Sequence, residues 1–255
     1  MRTLYFIIFS LIFSLSSFAQ SNTNQKDSQG RKTGKWVDYH PNGKKRYEGT
    51  FKEGYEVGTF KYWNGNGQLT TELLYSQKGE YASIRIYYVG GVVKVEGHYH
   101  KRLKDGLWKY YNKSPHILIK EESYKDGKKD GPWRVYYRNG NLTSELYWKD
   151  DKRHGTWKDF FENGDPHVEG TFKNGKLDGE YKVYFIGNIV EKKGNYVDGK
   201  MNGIWYFYNE KGELIKKERY DHGFLQQSAT FENGKVVEKE NRTRTKFDDS
   251  FYEAK

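Results

Sequence analysis

Glycine and aromatic residues recur at fixed intervals along most of this chain. Each repeat unit opens on a small residue, aromatic residues follow two, five and seventeen positions later, and a turn glycine usually occupies the ninth position. The step is 24 residues, with one step of 25 in the fourth unit, and self-similarity at this spacing predicts a repeat array whose units bury their apolar residues against one another. The eight units begin at Gly34, Gly58, Ala82, Gly106, Gly131, Gly155, Gly179 and Gly203.

Three columns of the repeat are aromatic or apolar in every unit, and packing between units therefore accounts for the 18% aromatic content before any binding role is considered. The tryptophan column, at the second position, contains Trp36, Phe60, Ile84, Trp108, Trp133, Trp157, Tyr181 and Trp205. The tyrosine column, at the fifth position, contains Tyr39, Trp63, Tyr87, Tyr111, Tyr136, Phe160, Tyr184 and Tyr208. The third aromatic column contains Phe51, Tyr75, Tyr99, Tyr124, Trp148, Phe172, Tyr196 and Tyr220.

The residues between the glycines predict two short β-strands in every unit. They are rich in Tyr, Trp, Phe, Val and Thr, and Asn-Gly pairs such as Asn42-Gly43 interrupt them. A second break, as at Glu53-Gly54, contains residues that tolerate positive φ and turns the chain into the next unit. The sequence therefore predicts an all-β fold, an elongated antiparallel sheet of tandem β-hairpin repeats with about eight units of 24 residues.

Two turn types fit the Asn-Gly break: a two-residue type I′ loop, or a type I turn followed by a glycine bulge. Pro41 fits the first central position of a type I turn, and Lys211 stands where a type I′ turn would force positive φ, so we expect the bulge. That register predicts the tyrosine and third aromatic columns on one face with Leu69 and Leu142. It predicts the tryptophan column on the other face near Glu48, and a one-residue slip would reverse the assignment.

Residues 1–19 have the features of a secretory signal peptide. Arg2 is the charged start, an apolar stretch follows, and Ser17-Phe18-Ala19 forms a small-x-small cleavage site. An uncleaved anchor is the alternative, although the apolar stretch is short for a span that needs roughly 20 residues. We therefore expect cleavage near Ala19 and export to the periplasm, the cell envelope or the extracellular space.

The rest of the chain divides into three parts by composition. Residues 20–33 are polar and are expected to form a linker, and residues 34–234 contain the hairpin array with a partial unit at its end. Residues 235–255 are expected to form a charged tail that is mobile from Asn241 onward. An open sheet edge invites pairing with another chain, so the ends of two copies are candidates for an end-to-end homodimer.

Composition and motifs argue against enzyme activity. The chain has no cysteine, which excludes disulfides, thiol chemistry and zinc-thiolate sites. Residues 170–176 and 194–200 spell G-x-x-x-x-G-K, but Leu177 and Met201 stand where a phosphate loop needs Ser or Thr. We therefore expect no catalytic residue, no metal and no cofactor.

Catalysis needs an irregular constellation of perturbed groups, whereas the acidic residues of this chain fall in repeating columns. The exception would be a site built from the irregular third and fourth units, where residues 79–82 and 114–122 depart from the pattern. The net charge of +10 comes with turn lysines interleaved with acidic residues. These lysines favour solubility over a nucleic-acid role, and contact with anionic lipid stays open.

Particular units resemble a known repeat. Residues 131–140, Gly-Pro-Trp-Arg-Val-Tyr-Tyr-Arg-Asn-Gly, and the similar run at 203–212 strongly resemble the MORN repeat variant, and the resemblance covers about residues 34–234. Bacterial chains of this kind are commonly labelled YwqK-family antitoxins of toxin-antitoxin systems. The resemblance implies rows of β-hairpins that serve protein interaction, dimer formation or lipid contact.

Two hypotheses of function follow, from different classes. The first is an exported, non-enzymatic scaffold that binds a protein partner, with an antitoxin-like or immunity-like role if that partner is a toxin. The second is a module that binds cell-wall polysaccharide or another carbohydrate on exposed aromatic rings. The exposure of five tryptophans separates the two hypotheses, and these rings are the predicted interaction surface: Trp36, Trp108, Trp133, Trp157 and Trp205.

Overall fold

The computed structural model of this chain describes residues 22–242, together with residues 251 and 253. The signal peptide predicted at 1–19 and its cleavage site lie outside these residues. Within the described part, the structure has 20 strands in one open antiparallel sheet and a single 3₁₀ turn at Gln77–Gly79. The predicted all-β fold of tandem hairpins is thereby confirmed. No helix in the described part is long and apolar enough to cross a membrane.

The strands follow one another across the sheet in sequence order, because each pairs antiparallel with the next. The short strand β14 is the exception, since β13 pairs with both β14 and β15. The strands are β1 Gln25–Lys26, β2 Lys32–Tyr39, β3 Lys45–Lys52, β4 Tyr55–Trp63, β5 Leu69–Ser76, β6 Tyr81–Tyr87, β7 Val93–His100, β8 Leu103–Tyr111, β9 Leu118–Lys125, β10 Lys128–Tyr136, β11 Leu142–Lys149, β12 Lys152–Phe160, β13 Pro166–Lys173, β14 Lys176–Leu177, β15 Gly179–Phe185, β16 Ile189–Val197, β17 Lys200–Tyr208, β18 Leu214–Asp221, β19 Phe224–Glu232 and β20 Lys235–Asn241.

The turn inside the hairpin is a type I turn with a glycine bulge in the first, second, fifth, sixth and eighth units, as the sequence predicts. In the first unit, the amide of Gly43 donates to the carbonyl of His40 over 2.9 Å, and the amide of His40 donates to the carbonyl of Lys44 over 2.8 Å. Gly43 has φ of 79°. In the eighth unit Gly212 carries the positive φ, 77°, so the long side chain at 211 is spared that conformation.

The turns between units are tighter. Glu53 and Gly54 connect β3 to β4 with φ values of 53° and 88°, the pattern of a two-residue type I′ turn. The third unit is the exception, because four residues join β5 to β6. Ala82 opens this unit in place of glycine. In other units a glycine with positive φ, such as Gly58 with φ of 66°, introduces a bulge at this point, whereas β5 pairs with β6 without one.

The predicted division of the columns between the two faces is wrong, and a second bulge explains the error. Tyr62 pairs with Thr71 while Trp63 pairs with Leu69, so Thr70 is an extra residue in β5. The extra residue reverses the alternation of side chains for the remainder of the strand, and it puts Tyr75 on the face opposite Leu69. The same shift occurs in every unit, at Arg46, Thr70, Lys94, Ile119, Thr143, His167, Glu191 and Ile215.

The tryptophan and third aromatic columns therefore share one face, which we call the ring face. Trp36 meets Phe51 edge to face with centroids 5.8 Å apart, and Phe51 meets Phe60 at 5.2 Å. The tyrosine column lies on the other face with the glutamates, and we call this the carboxylate face. The Tyr111 hydroxyl donates to Glu96 there over 2.7 Å.

The apolar core lies under the ring face and is divided among neighbouring units. Ile84, Val95 and Trp108 form one buried cluster at the junction of the third and fourth units. Trp108 lies directly over Gly97, where an added Cβ would come within 2.4 Å of the indole. Glycine at this position thus lets a large ring approach the backbone of the preceding unit, which buries apolar area in a sheet with no second layer.

The sheet extends beyond the range predicted for the array. β1 pairs with β2 inside the segment expected to be a linker, and Asn24 donates to the carbonyl of Val37 over 2.9 Å. At the other end, β19 and β20 form a ninth hairpin that includes the first residues of the segment assigned to the charged tail. Phe251 is 1% exposed and packs against Ala229 and Phe231, because burying its ring covers the apolar side of this last hairpin.

Candidate interaction surface

The five tryptophans of the predicted interaction surface all lie on the ring face, and none of them is exposed. Trp108 and Trp205 are 2% and 1% exposed. The other three, Trp36, Trp133 and Trp157, are half-buried. The sheet therefore brings these rings into one row but covers them with the third aromatic column and, at Trp157 and Trp205, with Tyr181.

The polar edges of four of these indoles are also used inside the sheet, and Nε1 of Trp205 is the exception. Nε1 of Trp36 donates to the carbonyl of Thr33 over 3.1 Å, and Nε1 of Trp108 donates to the carbonyl of His98 over 3.1 Å. Lysine side chains cover several ring faces: Nζ of Lys104 lies 4.2 Å from the centroid of Trp108. A sugar that stacked on this ring would have to displace the lysine and its cation–π contact.

The carboxylate face carries a row of opposite charges that crosses most of the array. On neighbouring strands, basic residues at the third position of one unit stand directly opposite glutamates of the same and the preceding unit, and such pairs stabilise a sheet. We call this row the charge ladder. It runs through Glu48, Lys61, Glu72, Arg85, Glu96, Lys109, Glu121, Arg134, Glu145, Lys158, Glu169 and Lys182.

Tyrosine hydroxyls add a second contact to the glutamates of the ladder. Tyr136 donates to Glu121 over 2.8 Å, and Tyr184 donates to Glu169 over 2.9 Å. Burial, and then the hydrogen bond to the carboxylate, raises the pKa of Tyr184 to about 12. Burial alone would raise the pKa of Glu169, but the hydrogen bonds from Tyr184 and Lys158 outweigh it and lower that pKa. Glu169 is therefore ionised and held in place at neutral pH.

A groove opens on the carboxylate face across the second, third and fourth units, with a volume of about 580 Å³. Five ladder residues lie along it or beside it, from Lys61 to Lys109, and their alternating charges give the groove floor both signs. Leu74 and Leu107 line it and are 55% and 38% exposed. The groove thus offers apolar side chains beside fixed, paired charges.

The irregular third unit explains where the groove lies. Ser83 is a small residue between Leu74 and His98, and its hydroxyl is 3.2 Å from Nδ1 of His98. A short side chain at this point of the sheet leaves space that larger neighbours would fill. The sequence marked the third and fourth units as irregular, but the wrong face assignment concealed this groove.

Sequence reasoning also missed a buried carboxylate on the ring face. Glu122 is 4% exposed and accepts hydrogen bonds from the hydroxyls of Tyr110 and Tyr124, over 2.7 and 2.9 Å, while Lys120 pairs with its other oxygen at 2.6 Å. Burial raises its pKa, and the three partners together reverse that effect and lower it. Its signal in the sequence is an acid in the column where Gly49, Gly97 and Gly170 stand elsewhere.

The histidines and acids do not gather into a metal site. In the part of the chain that the structure describes, no group of three or more His, Asp or Glu residues is arranged to hold a metal ion. His98 lies beside Ser83, whereas His100 stacks on Tyr81 with centroids 4.4 Å apart and lies 3.7 Å from Asp126. The two histidines therefore have separate surroundings.

Three solved structures are similar to parts of this chain, but their TM-scores are far below 0.5 and the similarity supports no conclusion about it. A mutant of S. aureus TarM in complex with fondaparinux, alpha-GlcNAc-glycerol and UDP is 14% identical, with a TM-score of 0.13 over 51% of this chain and 19% of that one. TcdB2-TccC3-TEV is 14% identical, with a TM-score of 0.18 over 78% and 12%. A porin-like protein from Bacteroides uniformis is 8% identical, with a TM-score of 0.17 over 76% and 92%.

A search of curated proteins finds no match to the chain. A family model does match it, in four segments at residues 32–53, 129–150, 153–174 and 201–222, each of which begins two residues before a repeat unit. The family is described as the MORN repeat variant. The sheet is thus a repeat scaffold whose first, fifth, sixth and eighth units match the MORN repeat variant.

Proposed function

We propose that this chain is a non-enzymatic repeat scaffold that binds a protein partner in the groove of its carboxylate face. The observation that carries the proposal is the groove itself, of about 580 Å³, with Leu74 and Leu107 exposed beside the charge ladder. Exposed apolar side chains rimmed by polar groups are characteristic of protein interaction sites.

The pattern of charge along the groove favours a polypeptide over a polyanion. Glu72 and Glu96 alternate with Arg85 and Lys109, and neighbouring strands space them at roughly 4.8 Å. Nucleic acid and anionic lipid need a surface of one sign, whereas a protein segment can present charges of both signs. The partner is therefore expected to contribute apolar side chains and charges that complement the ladder.

We further propose that this contact is made outside the cytoplasm, as the leader-like residues 1–19 suggest. The resemblance to chains labelled as antitoxins supports a toxin outside the cytoplasm as the first partner to examine. Fractionation of the native cells tests the location: the chain is expected in the envelope or the medium, and recovery in the cytoplasm alone would contradict export.

A capture experiment with matched variants tests the groove. The chain, its groove variant Leu74→Glu/Leu107→Glu and a control variant Val135→Glu/Val237→Glu are immobilised and exposed to the envelope and extracellular fractions. The control residues are 40% and 54% exposed and lie outside the groove. A specific partner is expected to be retained by the wild type and by the control. The amount retained by the groove variant is expected to be at least tenfold lower. Equal retention by all three chains would refute the groove as the binding site.

A further inference from the structure

The ring face carries a second feature, a row of cations placed over pairs of rings. Nζ of Lys104 lies 4.2 Å from the centroid of Trp108 and 4.6 Å from that of Tyr124. Lys129 repeats the arrangement in the next unit, at 4.4 Å from Trp133 and 4.3 Å from Trp148. Each cation stands two residues before its unit begins, and we call this position the lysine column.

The lysine column is interrupted in the second and third units. Glu56 and Glu80 stand where the first, fourth and fifth units have Lys32, Lys104 and Lys129. The ring pair Phe60 and Tyr75 remains, with centroids 5.2 Å apart. The rings are thus present at this point of the row, but the column supplies a negative charge instead of the cation.

A pocket of about 240 Å³ opens at this interruption. Tyr62, Tyr75 and Tyr99 line it together with Leu73 and Glu56. Ala82, Glu80 and Arg102 also line the pocket. The pocket therefore combines aromatic rings, small apolar side chains, two carboxylates and one guanidinium.

The negative charge of Glu56 acts on the tyrosine hydroxyls of the pocket. Burial raises the pKa of Tyr75 to about 12, and the charges of Tyr62 and Glu56 add to the effect. Burial, followed by the charge of Glu56, also raises the pKa of Tyr62. Both phenols are therefore neutral at physiological pH, so the charges that line the pocket are those of Glu56, Glu80 and Arg102.

One cation of the chain, Arg102, lines the pocket and pairs with this carboxylate. Nη2 of Arg102 lies 3.2 Å from Oε1 of Glu56, and the side chain of Arg102 is 83% exposed while that of Glu56 is 23% exposed. Arg102 belongs to the turn between β7 and β8, where it has φ of 67°. An ion pair this exposed contributes little, so another cation can replace the guanidinium at small cost.

We propose that this ring-face pocket binds a cationic side chain of a partner polypeptide, with the lysine ammonium as the preferred head group. The internal contacts of Lys104 and Lys129 show the geometry that such a ligand would adopt: its ammonium over ring faces, here those of Tyr62 and Tyr75, which line the pocket. Glu56 supplies the opposite charge, as Glu122 does for Lys104 through the hydroxyl of Tyr110. An ammonium desolvated between rings and a carboxylate gains from both cation–π attraction and ion pairing.

This inference concerns the face opposite the groove, so its outcome is independent of the capture experiment above. The probe is the peptide acetyl-Ala-Lys-Ala-amide, titrated into the folded chain with selectively labelled tyrosine and followed by NMR. The same peptide with norleucine in place of lysine keeps the apolar arm and removes the charge. Saturable shifts of Tyr62, Tyr75 and Tyr99 are expected with the lysine peptide, and none with the norleucine peptide at the same concentration.

The variant Glu56→Lys restores the lysine column and supplies an internal occupant. This variant is expected to bind the lysine peptide about tenfold more weakly, because a desolvated cation site is lost. Glu53→Lys makes the same change of charge in the adjacent turn and is the matched control, with affinity within twofold of the wild type. Arg102→Ala removes the exposed competitor and is expected to strengthen binding about threefold, in line with an exposed ion pair.

Three results would each overturn the proposal. The first is that the norleucine peptide shifts the same tyrosines to the same extent, since the charge would then be irrelevant. The second is that Glu56→Lys and Glu53→Lys lower the affinity for the lysine peptide equally, which would indicate only a long-range effect of net charge. The third is that n-butylammonium binds more tightly than the lysine peptide, because the pocket would then take a free amine instead of a polypeptide side chain.

Discussion

The hydroxyl of Tyr111 donates a hydrogen bond to Glu96 over 2.7 Å and so connects the fourth repeat unit to the third. The same contact joins Tyr136 to Glu121 and Tyr184 to Glu169. Each is made between side chains 15 residues apart in sequence, so the contact closes only a short loop. A repeat array derives its cooperativity from such interfaces between neighbours, and this hydrogen bond is one of their recurring polar elements.

Removing one hydroxyl should weaken one interface. Tyr111→Phe is expected to lower the free energy of unfolding by about 1.5 kcal/mol, because a hydrogen bond to a charged group is lost and the partner carboxylate is part-buried. Urea denaturation followed by tryptophan fluorescence measures the change. Tyr39→Phe is the control, since no repeat unit with a glutamate precedes Tyr39, and its effect should stay within about 0.5 kcal/mol. Equal losses for the two variants would contradict the interface role.

Alkaline pH should weaken the same interfaces. Burial, and then the hydrogen bond to glutamate, raises the pKa of Tyr87, Tyr111, Tyr136 and Tyr184 to about 12 in the folded chain, above the ordinary value of 10.0. Because the folded pKa is the higher one, the stabilisation is complete below pH 10 and is lost as the pH rises from about 10 to about 12.

Urea titrations at pH 8, 10 and 11.5 test this dependence. The urea midpoint of the wild type is expected to be highest at pH 8 and lower at pH 10 and again at pH 11.5. Between pH 10 and 11.5 the midpoint of the Tyr111→Phe variant should fall less than that of the wild type. A variant with the same alkaline loss as the wild type would show that ionisation of other groups dominates.

The hairpins and their turns could be predicted because local chemistry determines them. Pro41 and Gly43 specify a type I turn with its glycine bulge, and the aromatic columns specify strands. The face assignment could not be predicted, because the second bulge has no residue signature. Arg46, Thr70 and Lys94 occupy equivalent extra positions and share neither size, charge nor shape.

The one-residue shift at the second bulge reverses the face assignment, and missing it also concealed the candidate sites. With the correct register, Glu72 and Arg85 are seen to be opposite one another and the charge ladder can be read directly from the sequence. The ring-face pocket has its own signal, since Glu56 interrupts a column of cations. The volume of that pocket could not be predicted, because it depends on how side chains from neighbouring strands pack around Tyr62, Tyr75 and Tyr99.

Glycine beneath the tryptophan column should be essential at Gly97. An added Cβ would come within 2.4 Å of Cδ2 of Trp108, a buried ring that cannot move without loss of packing. Gly97→Ala is therefore expected to lower the free energy of unfolding by about 2 kcal/mol, the usual cost of overpacking. Gly65→Ala is the control, since a Cβ there meets nothing within 4 Å, and it should be close to neutral. A neutral Gly97→Ala would show that the indole relocates freely.

The charge ladder should respond in opposite directions to two substitutions. Glu145 lies between Arg134, 2.7 Å away, and Lys158, and no tyrosine hydroxyl complicates the site because Phe160 holds that position. Glu145→Lys places three cations in a row and is expected to lower the free energy of unfolding by about 1.5 kcal/mol, since like charges directly opposite one another destabilise a sheet.

At the other end of the ladder, Lys193 stands in the glutamate column between Lys182 and Tyr206, and its Nζ lies 5.7 Å from the ring centroid of Tyr208. Lys193→Glu should raise the free energy of unfolding by about 0.5 kcal/mol, because a pair with Lys182 and a hydrogen bond from Tyr208 replace a long cation–π contact. Urea titrations at low salt and in 1 M NaCl measure both variants, and salt should reduce both effects. Destabilisation by both substitutions would contradict the ladder, because it would show that any change in this column costs stability whatever its charge.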